Sequence, residues 1–125
     1  MKRNLCCAVI MAFLTISGSS RAAETRAMTV GDLKEFCTAS DHENSAACRF
    51  FIYGVVQGIR LASAAAKGTR RFCIPDDLAV SSMETIVKIA IGQDLMLFPK
   101  DSDLEASGFI GAAMMKAFPC RTAKP

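Results

Sequence analysis

The sequence predicts an all-α fold, a small disulfide-stapled bundle of about four helices. Three observations carry that expectation. Apolar residues recur at three- and four-residue spacing along most of the chain, with no sustained alternation and no Asn-Gly or Asp-Gly hairpin signal. Glycines, prolines and short polar clusters cut that pattern into four segments of helical length. Four cysteines, Cys37, Cys48, Cys73 and Cys120, follow an N-terminus that reads as an export signal, the setting in which cysteines pair.

The signal is expected over residues 1–22. Lys2 and Arg3 open it, and Leu5 to Ile16 is an apolar run too short for a membrane span. Cleavage after Ala22 places Ser20 and Ala22 at the small-residue positions and removes Cys6 and Cys7. The remaining stretch, 23–125, suits one domain. The whole chain carries 15 Lys and Arg against 12 Asp and Glu. Lys2, Arg3 and Arg21 leave with the signal, so the mature domain is near neutral and gives no electrostatic footprint for nucleic acid. A core of this size is modest, and two disulfides would offset that.

The first helix is expected at about Val30 to Thr38, with Leu33, Phe36 and Cys37 on one side. The polar stretch Ala39 to Ser45 breaks it. In the second, Cys48, Phe51, Ile52, Val55, Val56, Ile59 and Ala62 follow the spacing of a buried face, and Arg49, Tyr53, Gln57, Arg60 and Lys67 form a polar stripe. Gly54 and Gly58 lie on a third face. Each glycine costs about 1 kcal/mol relative to alanine inside a helix, so the pair suggests a close backbone approach to another helix or a second subunit. Gly68 reads as the stop.

Ser81 with Glu84 reads as a capping box opening the third helix, whose core stripe is Met83, Ile86, Val87, Ala90, Ile91 and Leu95. It is expected to loosen near Gly92 and stop before Pro99. Ser102 with Glu105 reads as a second box, followed by Leu104, Ile110, Met114, Met115 and Phe118 and a stop at Pro119. The methionines fall at core spacing and read as packing residues.

Short links make such helices antiparallel neighbours. Cys37 then closes the first helix where Cys48 opens the second, and Cys73 and Cys120 share the opposite end. Either cross-pairing would span about 20–25 Å, whereas a disulfide needs Cα atoms within about 7 Å, so Cys37–Cys48 and Cys73–Cys120 are expected. The same topology sorts charge. Asp41, Glu43, Asp101 and Asp103, against Lys100 alone, gather at one end, in two polar loops expected to lie side by side. Lys67, Arg70, Arg71, Arg121 and Lys124 gather at the other, near Asp76 and Asp77. Paired polar loops are a plausible surface for a protein partner.

Catalytic constellations are thin. His42 is the only histidine, and its nearest cysteines are committed to a staple. Asp41-His42-Glu43 has no second histidine and its neighbours diverge, so no metal site is read there. No phosphate-cradling glycine loop or other cofactor motif is present, and Arg70-Arg71-Phe72 is too short for a nucleic-acid groove. Neither an enzyme nor a cofactor is expected.

Cys48-Arg-Phe-Phe51-Ile-Tyr-Gly54 followed by Gly58, together with Phe72-Cys73-Ile74-Pro75 and Ala117-Phe118-Pro119-Cys120, resembles the type VI secretion amidase immunity proteins of the Rap/Tai type. Cys37 occupies the remaining cysteine position, and the likeness spans about residues 32–120. The resemblance implies a periplasmic all-helical protein whose partner is a secreted peptidoglycan amidase effector, blocked by a loop that fills its active-site groove, with a homodimer in some members. It implies no nucleic acid and no membrane after signal cleavage. By that analogy the contact falls on the Phe98–Asp103 loop, with Lys100, Asp101, Ser102 and Asp103, helped by Asp41, His42 and Glu43, while Phe51, Gly54 and Gly58 serve helix packing. Two other roles fit the same scaffold, a periplasmic adaptor or chaperone and a structural envelope protein.

Overall fold

The computed structural model describes residues 26–66 and 72–120, and these form four helices in one packed unit. The expected signal segment, the basic residues Lys67, Arg70, Arg71, Arg121 and Lys124, and the expected Gly68 stop lie outside the described residues.

Helix α1 spans Val30–Thr38 as its periodicity predicts, with Val30, Leu33 and Cys37 buried. A capping box starts it, one the sequence reading passed over. The Asp32 N–H donates to Thr29 Oγ1 at 3.2 Å, and the Thr29 N–H donates to Asp32 Oδ2 at 2.9 Å. Arg26 donates to the other Asp32 oxygen at 2.7 Å.

Helix α2 runs His42–Ala65, 24 residues, and is the spine against which α1, α3 and α4 all pack. It begins earlier than expected, because Asp41 is its N-cap rather than part of a loop. Asp41 accepts from the Asn44 N–H at 2.8 Å and from Asn44 Nδ2 at 2.8 Å. Cys48, Ile52 and Val56 are buried, and Phe51, Val55 and Ile59 pack around them. Ala62 does not join that face. Leu61, Ala62, Ala64 and Ala65 are exposed because the last turn of α2 runs past the core. Gly54 and Gly58 are exposed as well, and a Cβ added to either would meet nothing within 4 Å. The small-residue stripe therefore has no neighbour within the described chain. The close glycine contacts are elsewhere: Gly111 of α4 against Ile59, and Gly31 of α1 against the Ser102 carbonyl, where a Cβ would stand 3.3 Å from the oxygen.

Helix α3 spans Val80–Leu97, unbroken through Gly92. The Ser81–Glu84 box is not formed. A turn closed by the Leu78 N–H on the Pro75 carbonyl starts the helix at Val80, so Ser81 is already helical and cannot cap. Glu84 instead turns inward against α2. It is buried, accepts from Arg49 Nε at 3.1 Å and pairs with Lys88 Nζ at 2.6 Å. Met83, Val87 and Ile91 are the buried stripe.

A 3-10 turn, Pro99–Asp103, connects α3 to α4, which spans Ala106–Ala117. The Ser102–Glu105 box is absent too. Glu105 is the N-cap, but its backbone is extended and bridges Thr29: the Ala106 N–H donates to the Met28 carbonyl at 2.9 Å, and the Val30 N–H to the Leu104 carbonyl at 2.9 Å. That bridge ties the start of α1 to the start of α4.

Cys37–Cys48 and Cys73–Cys120 both form, with Cα separations of 5.0 Å and 5.1 Å. The first is buried in the core, whereas Cys73 is exposed and Cys120 half-buried. Met83 and Met114 pack in the core as their spacing predicts, and Met115 is exposed.

Candidate functional site

The exposed structure richest in contact-forming side chains is the corner where α3 ends. Met96, Leu97 and Phe98 are 75%, 66% and 58% exposed, and Leu104 beyond the 3-10 turn is half-exposed. Between them stand Lys100 and Asp103, both exposed, with Asp101 and Ser102 half-buried.

The backbone of the corner is tied at every step. The Phe98 N–H donates to the Asp94 carbonyl at 2.7 Å, the Asp101 N–H to the Phe98 carbonyl at 3.0 Å, and the Leu104 N–H to the Asp101 carbonyl at 3.1 Å. Pro99 sets the entry angle of the turn, and Ser102 rests on Gly31 of α1. A corner held this way loses little conformational entropy when a partner covers it.

The sequence reading named the Phe98–Asp103 loop but missed Met96 and Leu97, the exposed apolar residues just before it. A signal for them was available. Leu95, Met96, Leu97 and Phe98 are consecutive, and helical geometry turns each residue about 100° from the last. With Leu95 packed on the core, its three successors cannot all follow it inward.

The second predicted segment is not beside the first. No Cα of α2, which contains His42 and Glu43, lies within 8 Å of one in the 3-10 turn, although α1 touches both. The expectation of two adjoining polar loops is corrected accordingly. Residues 42–44 were taken up into α2, and the short α1 packs between that helix start and the turn. Asp41 is engaged in capping, and the Asn44 backbone N–H, followed by its side chain, holds the Asp41 carboxyl below the usual range. His42 and Glu43 are exposed in the first turn of α2.

Behind the corner, α3 and α4 leave an open apolar groove of about 410 Å³ lined by Ile86, Ile89, Leu97, Phe98 and Phe109, with Asp94 and Lys116 along it. The Asp94 carboxyl is raised above its ordinary value, first by burial and then by the charge of Asp101. Among the described residues, no group of three or more His, Cys, Asp and Glu side chains could hold a metal ion, and no helix is long and apolar enough to cross a membrane.

No curated protein and no solved structure matches the chain. A family model does: residues 29–120 match that of the Rap1a immunity proteins. The match begins at Thr29, which caps α1 and bridges Glu105, and ends at Cys120, which closes the second disulfide. It therefore covers all four helices and both disulfides, and the chain belongs to the Rap1a immunity protein family.

Proposed function

We propose that this protein is exported to the periplasm after signal cleavage near Ala22. There it neutralises a peptidoglycan amidase delivered by type VI secretion, blocking the groove of the enzyme with the Phe98–Asp103 corner. Family membership carries the reading at its coarser level, because an immunity protein acts by binding a partner effector. The corner supports the choice of surface. It offers an exposed aromatic, two exposed aliphatic neighbours and flanking charges on a backbone that is already ordered, the composition of an interface hot spot with a polar rim. His42 and Glu43 would take part only if the effector reaches across α1. The role requires no catalytic residue and no cofactor.

The test is titration calorimetry of the oxidised mature domain against the purified candidate amidase, alongside inhibition of peptidoglycan cleavage. Phe98→Ala should weaken binding about 30-fold or more, the loss of a hot-spot side chain, and Lys100→Glu with Asp103→Lys should slow association. Binding and inhibition unchanged by all three substitutions would remove this corner from the interface. The groove between α3 and α4 favours a second reading, a periplasmic adaptor, since exposed apolar surface is what such a protein needs. Retention of many unrelated envelope proteins, with no single amidase, would support it over immunity.

A further inference from the structure

We infer that the pocket at the end of α2 is a carboxylate-binding site, taking the terminal carboxylate of an amino acid or a short peptide. The pocket holds about 230 Å³. Arg60, Ser63 and Ala64 of α2 line one side, and Phe72, Ile74 and Asp76 of the segment leading to α3 line the other. Helix α3 begins just beyond that segment and ends at the Phe98–Asp103 corner, so the two surfaces lie at opposite ends of the bundle.

Two buried donors carry the inference. Arg60 Nε is buried and has no hydrogen-bond partner, and the same holds for Ser63 Oγ. The two residues are three apart on α2 and so are neighbours on one helix face. The guanidinium is held in place, because Arg60 Nη2 donates to the Pro75 carbonyl. Ser63 does not use the local partner open to a helical hydroxyl. Thr38 and Thr85 each donate to the carbonyl four residues back, at 2.8 Å and 2.9 Å, whereas the Ser63 hydroxyl is unpaired. An unmet buried donor is costly, and two of them lining one pocket point to a ligand that accepts from both.

The lining selects that ligand. Arg60 is permanently charged, and among the described residues it forms no ion pair. A carboxylate, with two acceptor oxygens, complements a guanidinium N–H beside a hydroxyl. Asp76, exposed at the mouth, disfavours a phosphate or any multiply charged anion. It suits instead the ammonium or amide N–H that stands one carbon from an amino-acid carboxylate. Phe72, Ile74 and Ala64 offer an apolar wall to a short side chain. Ordinary ligand pockets hold about 300–1,000 Å³, so this smaller one fits one or two small residues.

The site does not rest on the proposed role of the corner, and its test needs no effector. Nitrogen-edited NMR of the oxidised mature domain follows the Arg60 Nε–H and the backbone amides of Phe72, Ile74 and Asp76. Alanine, alanyl-alanine and alaninamide are the probes. Alanine or the dipeptide should shift these signals together, saturating with a Kd on the order of 1 mM, whereas alaninamide, which lacks the carboxylate, should not. Tighter binding of the dipeptide identifies a peptide end as the ligand, and affinity no better than that of alanine identifies a free amino acid. Arg60→Lys should weaken binding about tenfold or more. Ser63→Ala, which leaves the Arg60–Pro75 contact intact, should weaken it about tenfold, the worth of one hydrogen bond to a charged group. No shift at about 50 mM ligand, equal shifts with alaninamide, or binding indifferent to both substitutions would overturn the inference.

Discussion

The two staples make unequal contributions, and the Cys73→Ala/Cys120→Ala variant separates loop entropy from packing. Cys73 and Cys120 close a loop of sequence separation 47, while Cys37 and Cys48 close one of 11. Loop-closure entropy converts these to about 4 and about 3 kcal/mol of stabilisation through the unfolded chain. Cys73 is exposed and Cys120 half-buried, so removing their sulfurs leaves almost no cavity. The whole effect of that variant should then lie in the denatured state. Domains of this size have roughly 5–15 kcal/mol of total stability, so a loss of about 4 kcal/mol is a large share of it. With a urea dependence of about 1.3 kcal/mol per molar, the unfolding midpoint should fall by about 3 M. Helix content should be unchanged, and the dependence itself should steepen because the freed chain unfolds further. Cys37→Ala/Cys48→Ala should show a smaller entropic effect with a packing loss added, since both sulfurs are buried in the core. Urea unfolding followed by circular dichroism measures all of this. A midpoint shift under 1 M for the long staple, with unchanged slope, would refute the entropic account and imply that the unlinked chain stays compact.

Glu84→Gln keeps the shape but removes the charge that Arg49 and Lys88 share, and should cost about 1–3 kcal/mol by chemical denaturation. Gly54→Ala and Gly58→Ala should each stabilise the monomer by about 0.5–1 kcal/mol, because nothing lies within 4 Å of the added Cβ. Destabilisation that depends on protein concentration would instead place a second copy on that stripe. Thr29→Ala should cost about 1 kcal/mol by opening the capping box of α1. Acid unfolding should begin only as Asp32, Asp41 and Glu84 protonate. Their carboxyls are lowered by the Thr29 N–H, the Asn44 N–H and Lys88 respectively, so their contribution is full above the ordinary carboxylate range and is lost below it. Asp94 has the opposite sign: stability should rise slightly as pH falls through its raised value toward 3.8, an effect Asp94→Asn abolishes.

Where one sequence element had one physical use, it was legible. The three-four spacing of Cys48, Ile52 and Val56, and of Met83, Val87 and Ile91, could serve only a buried helical face, and both stripes are buried. The cysteine pairing followed from chain reach alone. Where a motif had two uses, the reading took the local one and tertiary structure took the other. Glu84 fits a capping box but satisfies Arg49 across the helix interface, and Glu105 fits a box but lends its backbone to Thr29. Residues 42–44 looked like a loop because His, Glu and Asn are polar, yet Asp41 caps them into α2. Gly54 and Gly58 suggested intimate packing, and the chain offers them none. Met96 and Leu97 of the candidate site escaped because each resembles a core residue when taken alone. Their succession after Leu95 turns Met96 and Leu97 away from the core, while Phe98 is exposed because the helix ends before it.

The residues that carry the family likeness and those proposed to carry recognition are largely different sets, and physics explains the division. Ile74 is buried, Phe51 and Phe118 pack against the core, and Cys48, Cys73 and Cys120 are staples. Changing any of them costs folding energy whatever the partner. The corner is under no such constraint. Met96, Leu97, Phe98, Lys100 and Asp103 project from the end of α3 and the turn after it, whose geometry is set by backbone hydrogen bonds, Pro99 and Gly31, so their side chains can vary without disturbing the scaffold. An inhibitor that must match one effector can therefore change its contact residues while its frame stays fixed. A transplant tests this division. Replacing residues 96–103 with the equivalent turn of another family member should keep the unfolding free energy within about 1 kcal/mol, while affinity moves to the effector of the donor. If affinity stays with the original effector, recognition lies outside the corner, and the groove between α3 and α4 becomes the next surface to mutate.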